Sequence, residues 1–185
     1  MKKLMFIALV SLLLSIHAGT VKAKELSSDE TVQNEQETNE ADLLTDSGNQ
    51  TILRFQTMVG VNPPFTGTAN PIRGITGGGL PWVLSDARGI LKADGTLRVR
   101  VRGLVIPVAP FNGTNPAPNF RAIVSCMSVD NTGTPIIANV QTGLFPANTL
   151  GDSNIKEKIA LPKPCIAPII FVTSPTGAWF SATGF

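Results

Sequence analysis

The sequence predicts an all-β fold: an antiparallel β-sandwich of Greek-key or immunoglobulin-like type, with a small closed barrel as the alternative. Three observations predict it. In Gly89–Pro107, GILKADGTLRVRVRGLVIP, the pair Asp94-Gly95 separates two runs of alternating residues. Asp-Gly in that setting signals a hairpin, read here as a type I′ turn with positive φ at both residues. Leu97, Val99 and Val101 then alternate with Arg98, Arg100 and Arg102. That period of two belongs to a strand with one buried and one wet face. Finally, beyond residue 23 no helix-length window carries apolar residues at i, i+3, i+4 and i+7.

In chain order, Met1–Ala23 reads as a secretory signal peptide. Lys2 and Lys3 precede the apolar run Leu4–Ile16, which is short for a membrane-spanning helix. Val21 and Ala23 suit positions −3 and −1, so cleavage is expected after Ala23, with Ala18 as the alternative site. Export to the cell surface or medium follows.

Residues 24–50 carry Glu25, Asp29, Glu30, Glu35, Glu37, Glu40, Asp42 and Asp46 against Lys24 alone. A segment so charged and so poor in large apolar residues cannot offset its ordering entropy and is expected to be disordered. It reads as a solvated tail, a spacer or a removable pro-segment. The remainder, residues 51–185, has the length of one domain with its own core. It holds eleven bases and five acids. A leader of opposite charge is expected to screen that basic body, so its deletion should raise polyanion binding at low salt.

Strands are expected at Thr51–Val59, Trp82–Ala93, Thr96–Ile106, Asn119–Val129, Pro135–Thr142, Asn154–Leu161, Cys165–Thr173 and Ala178–Phe185. Turn residues such as Asn62-Pro63-Pro64, Asp130-Asn131-Thr132-Gly133 and Gly151-Asp152-Ser153 separate them. Two connections are long. Gly60–Pro81 contains Gly77-Gly78-Gly79, and Pro107–Pro118 contains four prolines. Each reads either as a functional loop or as the cover of a sheet edge. The only cysteines, Cys126 and Cys165, are expected to form one disulfide, since they follow a signal peptide as an even pair.

The chemistry that is missing narrows function most. The one histidine, His17, lies in the signal peptide, and tyrosine is absent. Ser-His-Asp and Cys-His catalysis and His-bound zinc are therefore excluded from the exported chain. No Gly-Lys-Ser/Thr follows the glycines, so a phosphate loop is not supported. Asp130–Gly133 lacks the further oxygen ligands of a calcium loop and reads as a plain turn. No cofactor or metal is expected. Carboxylate chemistry needs two acids across a cleft, and the supply is Asp86, Asp94, Asp130, Asp152 and Glu157. The three in turn signals are expected to cap backbone, which leaves Asp86 and Glu157 at wet strand positions.

Candidate binding residues are the stripe Arg98, Arg100, Arg102 and the aromatics Trp82 and Trp179. Arginines could grip phosphate or carboxylate bidentately, or simply solvate and guard an edge. The tryptophans could stack on sugar rings or fill the core. Nucleic acid is not expected, because the arginines are not interleaved with aromatics. The lack of Tyr girdles and of repeated strands about ten residues long argues against an outer-membrane barrel. Asn49-Gln50-Thr51 and Asn112-Gly113-Thr114 match glycosylation sequons.

The runs Ala69–Gly74 (ANPIRG), Gly77–Trp82 (GGGLPW), Phe120–Cys126 (FRAIVSC), Cys165–Ile169 (CIAPI) and Thr173–Phe180 (TSPTGAWF) resemble a group of small exported bacterial proteins of unestablished function. The resemblance covers most of residues 51–185 and implies a single secreted domain with paired cysteines. It implies no catalytic residues. The expected role is non-enzymatic binding or coating at the cell surface or in the medium, directed at a cell-wall polyanion or glycan. A carboxylate-dependent hydrolase of an extracellular polymer is the alternative.

Overall fold

The computed structural model describes residues 49–184. The predicted signal peptide, 1–23, and all of the acidic leader except Asn49 and Gln50 lie outside the described residues. The described part falls in one compact unit.

Ten strands and no helix make up the described residues: β1 (Thr51–Phe55), β2 (Met58–Gly60), β3 (Asp86–Lys92), β4 (Thr96–Arg102), β5 (Asn119–Val129), β6 (Pro135–Gln141), β7 (Phe145–Pro146), β8 (Ser153–Lys158), β9 (Ile166–Thr173) and β10 (Trp179–Thr183). They form two antiparallel sheets. The first runs β1-β3-β4-β8, and the second runs β2-β10-β9-β5-β6 with β7 paired to β5. The sheets pack face to face as a sandwich, and neither closes into a barrel.

The predicted central hairpin is present. β3 and β4 pair without interruption from Asp86↔Arg102 to Leu91↔Leu97. Its turn differs from the type I′ expectation. Only Gly95 has positive φ (86°), and Gly95 N–H donates to the Lys92 carbonyl at 3.0 Å. This is the three-residue loop in which a type I turn is followed by a left-handed glycine. Glycine is required there twice over, because a Cβ at 95 would lie 1.9 Å from the Ile159 carbonyl oxygen.

The predicted strand Thr51–Val59 is two strands in different sheets. Phe55 and Met58 are both buried with exposed Gln56 and Thr57 between them. That spacing breaks the two-residue alternation, so the chain keeps both side chains inside by crossing from one sheet to the other. The predicted strand at Trp82 starts only at Asp86. Upstream, Trp82 N–H donates to Val61 (2.9 Å) and its ring stacks on Phe180 at 3.9 Å between centroids. Phe120 meets both rings edge-on, at 6.4 and 5.8 Å.

The core lies between the sheets. Leu91, Leu97, Val99, Val101 and Ile155 of the first sheet and Phe120, Ala122, Val124 and Val172 of the second are at most 2% exposed. Alternation in β4 (iBeBeBi) keeps its arginines on the outer face. β10 is buried at every position, as expected of an internal strand covered on both sides. Part of that cover is the long loop after β2. Gly78 N–H donates to the Trp179 carbonyl (2.8 Å), and Trp179 N–H donates to Thr76 (2.9 Å). Gly77 must be glycine, since a Cβ would sit 2.0 Å from the Phe65 carbonyl oxygen. The other long loop is tied down by buried Asn115, whose side-chain amide donates to the Ala117 and Asn148 carbonyls (2.8 and 2.9 Å). Cys126 and Cys165 are bridged, with Cα atoms 4.9 Å apart.

Candidate functional site

The outer face of the first sheet gathers positive charge from four strands. Its pairing sets the rows. One row runs Arg54, Ile90, Arg98, Lys156, and the next runs Arg88, Arg100, Asn154. Neighbouring strands lie about 4.8 Å apart, and alternate residues along a strand about 6.7 Å apart. The cations therefore stand within one small patch. An open cavity of about 580 Å³ lies over them, lined by Arg54, Arg88, Arg98, Arg100 and Lys156. Half-buried Ile90 provides apolar surface among the charges.

Four of these cations stand directly opposite one another in two cross-strand pairs: Arg88 faces Arg100, and Arg98 faces Lys156. Like charges so placed cost stability. Among the described residues one carboxylate relieves the cavity, that of Asp86, 3.3 Å from the Arg88 guanidinium. At the rim Lys158 pairs with Asp94 at 3.1 Å. Among the described residues, Arg54, Arg98, Arg100 and Lys156 make no ion pair, and their side chains make no hydrogen bond.

Arginines elsewhere are used differently. Arg73 donates to the Ser125 carbonyl (2.8 Å), and Arg121 to the Gln141 side chain (2.7 Å). Arg102 donates to the carbonyls of Val101 (2.8 Å) and Ser153 (3.3 Å). Of the predicted stripe, then, Arg98 and Arg100 face the cavity, while Arg102 is folded onto the backbone beyond it.

The predicted aromatics lie apart from this face. Trp82 is 3% exposed and Trp179 2%; Trp179 packs on Phe171 at 6.0 Å. Both are core residues, because each ring has a buried aromatic neighbour and neither reaches a surface where sugar could stack. The cavity residues that the sequence reading passed over are Arg54, Arg88 and Lys156. The alternation Asn154, Lys156, Lys158 against Ser153, Ile155, Glu157 carried a signal for one of them. Arg54 and Arg88 had no comparable pattern, and only strand order brings them in.

The carboxylates are engaged one by one. Asp94 accepts from Thr96 N–H (2.9 Å) and the Thr96 hydroxyl (3.0 Å). The Thr96 N–H, helped by Lys158, lowers its pKa to about 2. Asp130 accepts from the Thr132 hydroxyl and from the N–H groups of Thr132 and Thr134, which lower its pKa too. Asp152 accepts from Gly103 N–H (3.0 Å), so it ties two loops together instead of capping its own turn. Glu157, expected at a wet strand position, shares the inward parity of Ile155 and is half-buried. It accepts from Gly143 N–H at 2.8 Å. Asp86 projects from the opposite, outer face. The two acids left for hydrolysis thus do not face one another across a cleft. No cluster of three metal-ligating side chains occurs among the described residues.

Comparison with protein-family profiles, curated proteins and solved structures returned no match.

Proposed function

We propose that this chain is an exported, non-enzymatic binding module for an anionic polymer, a cell-wall polyanion or acidic glycan, held on the outer face of the first sheet. One observation carries the reading. Arg54, Arg98 and Arg100 converge on one cavity with their guanidinium groups unengaged among the described residues, whereas Arg73, Arg102 and Arg121 all bond to protein acceptors. A planar guanidinium matches phosphate and carboxylate oxygens bidentately. A polyanion would also relieve the opposed like charges of the face. The disulfide, the signal-peptide pattern and the group resemblance support action outside the cell. The hydrolase alternative draws no support from Asp86 and Glu157, which project from opposite faces.

The test is co-sedimentation with bacterial cell walls across a salt series, using the exported chain and an Arg98→Ser/Arg100→Ser variant. Pelleting at low salt should fade as screening shortens the reach of the charges. The variant should bind on the order of tenfold more weakly, since an exposed ion pair contributes up to about 1 kcal/mol. Pelleting that ignores both salt and substitution would refute the assignment.

A further inference from the structure

The basic face contains one residue that a polyanion leaves unexplained. Ile90 is the cross-strand partner of both Arg54 and Arg98, so it shares their outer face. Arg88 stands two residues away on the same strand, and Arg100 is paired with Arg88. Ile90 is half-buried and lines the cavity with all four. An apolar side chain inside a ring of four arginines suits a ligand that is acidic at its ends and apolar between them.

The chain carries such a segment just before β1. Asp42-Leu43-Leu44-Thr45-Asp46 sets two leucines between two carboxylates. No other adjacent pair of large apolar residues occurs in residues 24–50. The point where this stretch joins the domain fixes its reach. The Gln50 carbonyl accepts from Ala93 N–H (2.8 Å), and Lys92 donates to the Asn49 side chain. The chain therefore enters the first sheet at the end of β1 where Thr51 pairs with Lys92. Arg54 is three residues along β1, about 10 Å, and Arg98 two strands across from Arg54, about 10 Å more, so the diagonal is about 14 Å. Asp46 precedes Thr51 by five residues, which span up to about 17 Å, and Asp42 by nine, which span up to about 30 Å. Both carboxylates can reach the ring of arginines. A ligand tethered so closely is present at an effective concentration on the order of millimolar.

We propose that Asp42–Asp46 docks on the outer face of the first sheet, with its leucines on Ile90 and its carboxylates on the surrounding arginines. It thereby competes with the anionic polymer for the site, a role that rests on the reading of this face as a polymer site. The same contact relieves the opposed like charges of Arg88 with Arg100 and of Arg98 with Lys156. Loss of the segment then opens the site.

The experiment compares the exported chain with two variants, Asp42→Asn/Asp46→Asn and Leu43→Ser/Leu44→Ser. Arginines are labelled with phenylglyoxal and mapped by mass spectrometry, and binding of inorganic polyphosphate is measured on the same samples. At low salt Arg54, Arg98 and Arg100 should label several-fold more slowly in the parent than in either variant. Arg73 and Arg121, held by protein acceptors, should label alike in all three and so report an unchanged fold. Both variants should bind polyphosphate about fivefold or more tightly than the parent, because their site is no longer occupied. The difference between parent and Asp42→Asn/Asp46→Asn should vanish near 1 M salt, where screening reaches only about 3 Å. Equal labelling in the parent and either variant overturns the proposal, whatever the chains bind. Protection that grows with protein concentration overturns it too, since it would mark docking between copies. Protection that both variants lose, with no polyphosphate binding by any chain, upholds the docked segment and instead removes the polymer as ligand.

Discussion

Gly95 shows how much one residue can carry. Its φ of 86° and the Ile159 oxygen 1.9 Å from a would-be Cβ both forbid a side chain. Gly95→Ala should cost more than about 1 kcal/mol, read from urea unfolding, because strain adds to the steric clash. Its neighbour Asp94 sets a pH dependence. The Thr96 N–H and Lys158 lower its pKa from 3.8 to about 2. A carboxylate depressed in the folded state contributes stability above its unfolded pKa and loses it as pH falls through the folded value. The unfolding midpoint should therefore drop between about pH 4 and pH 2, and Asp94→Asn should flatten that part of the profile. Both residues were legible as a turn from Asp94-Gly95 alone. The turn type was not, since it depends on Ile159, which belongs to the segment after β8.

At the scale of elements, local alternation located β4, β5, β6, β8 and β9 to within a few residues. It misjudged the first strand, where Gln56 and Thr57 mark a passage between sheets. It also missed β7, whose two residues are too few to show a period. The disulfide was read from count and compartment, and the structure adds why it sits where it does. The β5–β9 ladder is interrupted between Ser125 and Met127, and Ala167 there has a φ of 45°. Cys126–Cys165 joins the two strands at that interruption and closes a separation of 39 residues. Cys126→Ala/Cys165→Ala should lower unfolding stability by about 2–4 kcal/mol and speed amide exchange at the start of β9 before the rest of the sheet.

The whole molecule divides its surface by sheet. One outer face collects arginines and lysines from four strands, whereas the far strand of the other sheet, β6, has no charged residue of its own. Exposed substitutions on the basic face should leave the fold alone. Arg98→Ser/Arg100→Ser should shift unfolding stability by no more than about 0.5 kcal/mol. A gain is the expected direction, because Arg100 faces Arg88 and Arg98 faces Lys156. A large loss would make these arginines structural and remove the ground for a binding site.

What the sequence alone determined is whatever depends on neighbours in the chain: the all-β class, the central hairpin and the outward arginines of β4. Side-chain alternation has a period of two, so a few residues suffice to display it. The tertiary structure decided what depends on strand order. Arg54, Arg88 and Lys156 join Arg98 and Arg100 because β1, β3 and β8 flank β4, an arrangement no single strand encodes. Trp82 and Trp179 went to the core for the same reason: their aromatic partners arrive from distant segments, and burial is a property of the assembled sheets.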